Sequence, residues 1–121
     1  KMKNQQPNIK RRVSSYIERG AISTKIKKLC NYKCSICEAL GKPTNSFTKS
    51  NEEPYIETHH VEPVSTLNSG VLGVANLMTV CANHHRQLHF GNVQLMDNNE
   101  QYFVFNVDGS EVRIKKVRIE N

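Results

Sequence analysis

The chain has 121 residues, 37% of them hydrophobic and none of them Trp, which fits one small domain with a modest core, and no run of about 18 apolar residues offers a membrane span. The net charge of +6 is uneven: residues 1–33 hold ten Lys or Arg against Glu18 alone, whereas the remaining 88 residues carry more acid than base. That asymmetry is the footprint of a polyanion-binding protein, although a merely solvated basic helix has the same composition.

In chain order, residues 8–19 (NIKRRVSSYIER) space Ile9, Val13, Tyr16 and Ile17 at helical intervals and predict a helix that stops at Gly20. Ser23 is placed to cap a second helix, with Ile26 and Leu29 on one side and Lys25, Lys27 and Lys28 largely elsewhere. YKCSIC (32–37) is too short for an element and reads as a turn, and 41–54 is a polar loop bracketed by prolines. YIETHHVEP (55–63) has strand composition and stops at Pro63, after which a Gly- and Ser-bearing loop spans 65–73. Asn76 opens a second strand-like run, LMTVC (77–81), and HHRQLHF (84–90) reads as a short helix ending at Gly91. QYFVFNV and EVRIKKVRI are two further strands joined at Asp108-Gly109, a strong hairpin signal. The division is a basic helical extension over 1–29, a core over 30–91 and a C-terminal β-hairpin over 92–121, all in one domain.

Cys34-x-x-Cys37 and Cys81-x-x-His84 form two knuckles separated by 43 residues. Residues three apart can converge on one ion, and a Cys3His set is a usual closed shell for structural zinc. Such a staple would tie the last helix to the segment before the first strand. Cys30, one helical turn before Cys34, could replace it as a ligand, but a buried free thiol is the simpler role. No secretory h-region is present, so reduced cysteines and a cytoplasmic home are expected. The chain opens on Lys rather than Met, so a recognition domain elsewhere in a larger parent is also expected.

The five histidines fall in the doublets His59-His60 and His84-His85, plus His89. On a helix His85 and His89 share a face, and that face is turned by about 100° from His84. Adjacent strand residues point to opposite faces, so His59 and His60 also need separate tasks. One of them can complete a His-rich ion site with His85 and His89, while the other meets substrate.

THHVEP, Asn76 in ANLMTVC and HHRQLH together resemble the HNH (His-Asn-His, ββα-metal) nuclease family, in its zinc-knuckle restriction-enzyme branch. The resemblance covers roughly residues 30 to 91. It implies an α+β fold: a small ββα-metal core with a structural zinc knuckle, here flanked by basic N-terminal helices and a C-terminal β-hairpin. It also implies His60 as general base, with His59 and His85 as ligands of a catalytic divalent ion. His89 corresponds to an additional ligand or a phosphate contact. Asn76 corresponds to the middle motif residue, which in relatives usually braces the loop near the base. Many relatives with knuckles have Asp where this chain has His59. Three imidazoles suit Zn²⁺, Ni²⁺, Co²⁺ or Mn²⁺ better than Mg²⁺.

Cleavage of double-stranded DNA is the expected activity, and the resemblance implies products with 5′-phosphate and 3′-hydroxyl ends. Arg86, Lys10, Arg11, Arg12, Lys27 and Lys28 are the expected backbone contacts, and Arg86 is equally readable as an ordinary surface residue. Glu57 and Glu62 flank the histidine pair; Glu62 could orient an imidazole, but a solvated acid is the simpler reading. A homodimer is expected, because one active site cuts one strand. Two rivals are a non-catalytic zinc-dependent DNA-binding domain, which would have no use for His59, His60, His85 or His89, and a colicin-like nuclease toxin.

Overall fold

The computed structural model describes residues 20–62 and 74–117. The helix expected over 8–19, with Lys10, Arg11 and Arg12, and the loop 65–73 lie outside the described residues.

Helix α1 (Ala21–Leu29) begins at Gly20, which provides no side-chain cap. Ser23, expected as the cap, is instead buried inside the helix and its hydroxyl lies 3.2 Å from that of Thr58. Ile26 is fully buried, whereas Leu29 is 53% exposed, so the apolar side of α1 is narrower than the sequence pattern implied. Lys27 and Lys28 in the last turn complement the helix dipole. The chain then turns through Asn31 and Tyr32, both at positive φ.

The segment expected as a plain turn contains a short helix, α2 (Ser35–Ala39), capped by Cys34, whose sulfur accepts from the Cys37 N–H at 3.4 Å. Strand β1 (Glu57–His60) pairs antiparallel with β2 (Leu77–Val80), in the register Thr58 opposite Thr79 and His59 opposite Met78. A single 3-10 turn, Val74–Asn76, feeds β2, so Asn76 stands just before the strand. Helix α3 (Ala82–Phe90) follows at once, capped by Cys81, and packs against both strands.

The C-terminal part is a three-stranded antiparallel sheet of β3 (Val93–Asn98), β4 (Tyr102–Val107) and β5 (Ser110–Lys115), in that order. The expected hairpin is its β4–β5 half. Asp108 and Gly109 at its tip have φ of 50° and 89°, the pairing that a two-residue I′ turn requires. β3 escaped the sequence reading because it is an exposed edge strand whose register shifts between Leu95 and Asp97, which breaks the period-two pattern. Phe103 and Phe105 of β4 and Val112 and Ile114 of β5 form the main core with Ile36, Met78 and Val80. This core fixes β2, and thereby the ends of β1 and α3 that carry the histidines.

Candidate functional site

The two knuckles share one local design. Cys34 and Cys81 each cap a helix, each sulfur accepting the N–H of the residue three positions on, at 3.4 Å. That residue, Cys37 or His84, is thereby swung to the same side as its cap. The helices α2 and α3 bring the halves together: His84 Nδ1 lies 3.4 Å from Cys34 Sγ, 3.3 Å from Cys37 Sγ and 3.4 Å from Cys81 Sγ. Tetrahedral ligands at zinc distances stand about 3.5 Å apart, so the donor set and its spacing fit zinc. The four cysteines are free. Burial raises the Cys34 thiol and pushes Cys37 up to about 12, while burial and then Lys42 lower His84, keeping its imidazole neutral as a ligand must be. Cys30, half-buried, stands outside the group, and its thiol is raised chiefly by burial.

A second group lies on the other side of α3. One ligand atom from each of His59, His85 and His89 lies within 4.8 Å of the others, and their ring centroids are 5.0 to 5.2 Å apart. His84 and His85 are thus divided between two clusters by the helical rotation. His59 Nδ1 and His85 Nε2 are buried and have no hydrogen-bond partner among the described residues. Buried imidazole nitrogens without partners are costly unless something with a positive charge meets them, so this group fits a divalent ion. Burial, then the nearby His85, His89 and His60, hold the His59 imidazole down to about 3, so it stays neutral.

The profile of the HNH endonucleases matches residues 34–91, which contain both clusters. Residues 34–91 are an HNH endonuclease domain. Over 55 residues the chain is 40% identical to the Type IV methyl-directed restriction enzyme EcoKMcrA of Escherichia coli (strain K12). That match spans 46% of this chain and 19% of the relative. No solved structure matches the chain at a significant level. Among the described residues no helix is long and apolar enough to cross a membrane.

Within the HNH domain, Asn76 ties down the turn that follows His60. Its Oδ1 accepts from the Glu62 N–H at 2.8 Å, its Nδ2 donates to the Glu62 carbonyl at 2.9 Å, and its own carbonyl accepts from Val61 N at 2.9 Å. His60 itself is buried at the end of β1, with its backbone opposite Leu77.

One residue that the sequence reading left as a flanking acid takes a direct part. Glu57 Oε1 accepts from His85 Nδ1 at 2.6 Å, which leaves Nε2 of that ring for the cluster. Tyr55 donates its hydroxyl to the same carboxylate, and Phe47 stacks on the Tyr55 ring at 4.7 Å. Burial pushes the Glu57 carboxyl up, but the bonds from Tyr55 and His85, with Lys27 nearby, outweigh it and hold it below the usual range. The Tyr55 hydroxyl is pushed up to about 12, first by its bond to Glu57. The signal was available: in Glu57-x-His59 both side chains leave the same face of a strand.

Of the expected DNA contacts, Arg86 and Lys28 are exposed. Lys27 is half-buried beside Lys49, Glu57 and Glu53, and its ammonium is lowered chiefly by burial.

Proposed function

We propose that this chain is the cutting part of a restriction or defence enzyme that hydrolyses phosphodiester bonds of double-stranded DNA, acting in the cytoplasm. The observation that carries the reading is the cluster of His59, His85 and His89, separate from the cysteine knuckle and containing two buried nitrogens without partners among the described residues. A structural zinc site would explain the first cluster, but it gives the second no task.

In this reading His59, His85 and His89 hold a divalent ion. When bound, that ion supplies charge stabilisation for the phosphate and its leaving oxygen. His60, next to His59 at the end of β1, takes the proton from the attacking water, imidazole being the side chain that exchanges a proton near neutral pH. Asn76 keeps the backbone after His60 in place. Glu57 holds His85 in the tautomer that presents Nε2. Three imidazoles and no carboxylate favour Mn²⁺, Ni²⁺ or Zn²⁺ over Mg²⁺. Cys34, Cys37, Cys81 and His84 hold the structural zinc. Double-strand cleavage calls for two copies of the chain, and selection of sequence or modified bases falls to a recognition domain beyond these residues.

Supercoiled plasmid incubated with the protein and Mn²⁺, Ni²⁺ or Mg²⁺ tests this. Nicking by the wild type and loss of nicking in His60→Ala are expected. Absence of nicking with every ion, or equal nicking by His60→Ala, would overturn the assignment. A total metal content near one per chain would favour a zinc domain that only binds DNA.

A further inference from the structure

Helix α3 carries a third pair of residues, and the proposed chemistry leaves one of them without a task. Phe90, the last residue of the helix, is 80% exposed, the most exposed large apolar side chain among the described residues. Its ring centroid lies 6.2 Å from that of His89 in the ion cluster and 5.6 Å from the guanidinium carbon of Arg86. The spacing 86, 90 repeats that of 85, 89 one residue on, so an aromatic and a cation form a stripe directly beside the ion-holding one.

This end of the helix is also pinned. Gly91 donates to the Gln87 carbonyl at 2.7 Å, and a Cβ at Gly91 would meet Gln87 Cγ at 2.7 Å and Gln87 O at 2.9 Å. Gln87 Nε2 in turn donates to Asp108 Oδ2 at 2.7 Å, fixing the helix to the tip of the β4–β5 hairpin. A rigid element carrying an uncovered aromatic, a guanidinium against it and an ion cluster one ring away presents two chemistries suited to one ligand. The ring suits the π-face of a base, and the cation suits a phosphate.

Resting on the nuclease reading, we propose that Phe90 is a wedge that stacks on a nucleobase next to the cut phosphate, while Arg86 holds the adjoining phosphate. The 6.2 Å from the His89 ring to the Phe90 ring is less than two steps of 3.4 Å along one strand, so the ring reaches a base within two nucleotides of the ion cluster. Stacking on an aromatic side chain is blind to base identity. Opening a base step within an intact duplex opposes insertion by about as much as the stack returns. The wedge therefore favours sites where a base is already loosened: a mismatch, or a flexible pyrimidine–purine step.

The chain has no Trp, so Phe90→Trp introduces a single indole reporter. In a His60→Ala background, which binds without cutting, a fluorescein-labelled duplex with one central mismatch is titrated while anisotropy follows binding. Quenching of the indole in step with binding is expected. Phe90→Ala should weaken binding to the mismatched duplex about tenfold, and Phe90→Trp but not Phe90→Leu should restore it. No quenching at saturating DNA, or full rescue by Phe90→Leu, overturns the wedge, and if the wild type still cuts plasmid the nuclease reading stands. No DNA binding by any variant, with no plasmid nicking by the wild type, overturns both.

Discussion

Replacing Glu57 by Gln removes the charge from the side chain that holds His85 but leaves an oxygen able to accept its Nδ1 proton. The native contact is 2.6 Å long, and the two side chains are 28% and 15% exposed, so solvent screening takes little from it. A hydrogen bond to a charged partner contributes about 1.5–3 kcal/mol against about 0.5–1.5 for a neutral one. The charge alone is therefore worth about 1.4 kcal/mol, or roughly a tenfold loss of ion affinity. Glu57→Ala also strands the Nδ1 donor and lets the ring turn, which takes the loss to about a hundredfold, the upper end for outer-shell partners of metal-binding histidines. Titration calorimetry of Mn²⁺ into protein whose cysteine site is already filled with zinc measures both, and nicking at saturating Mn²⁺ should recover far better in Glu57→Gln than in Glu57→Ala. Wild-type affinity in both variants, or equal losses in both, would show that the carboxylate does not tune this imidazole.

Asn76→Ala removes both side-chain bonds to the Glu62 backbone, a loss of about 2 kcal/mol. The melting temperature should fall by about 10 °C, and nicking well below that temperature should fall too, because the turn after His60 is no longer held. For His59, held down to about 3 when folded against an ordinary 6.5, the sign follows from the unfolded chain binding the proton more readily. Protein without the catalytic ion keeps this contribution above pH 6.5 and loses it as the pH falls from there towards 3. Urea midpoints at pH 7 and pH 5 should therefore differ more for the wild type than for His59→Gln.

The parts of this site that are readable in sequence are those set by local geometry. A cysteine that caps a helix and a ligand three residues later need no tertiary information to converge, and neither do His85 and His89 one helical turn apart. Asp108-Gly109 likewise announces its turn through the φ values it must adopt. What the sequence hides depends on packing between elements. Glu57 and His85 are 28 residues apart and meet only because β1 lies against α3. Ser23 has the chemistry of a cap, but Gly20 takes that position and Ser23 turns inward to Thr58. Leu29 fits the apolar side of α1 by spacing, yet it stays 53% exposed. β3 is disguised by a bulge at Met96 and by its solvent-exposed edge.

The three faces of α3 also suggest an order of dependence between the two clusters. Cys81 caps the helix and His84 faces the knuckle, so an ion held by the four knuckle residues would help to fix where the helix begins and how it is rotated. His85 and His89 take their positions from the same rotation. Structural zinc in small domains contributes about 10–16 kcal/mol, comparable to the whole stability of such a fold. Cys81→Ser should therefore abolish zinc retention, the cooperative thermal transition and nicking together. His85→Ala should abolish nicking while keeping one zinc per chain and a cooperative thermal transition, its midpoint lowered by the lost bond to Glu57. Metal content by atomic emission and melting by calorimetry separate the two variants, and a Cys81→Ser protein that still nicked DNA would show that the helix is positioned by the hydrophobic core rather than by the zinc.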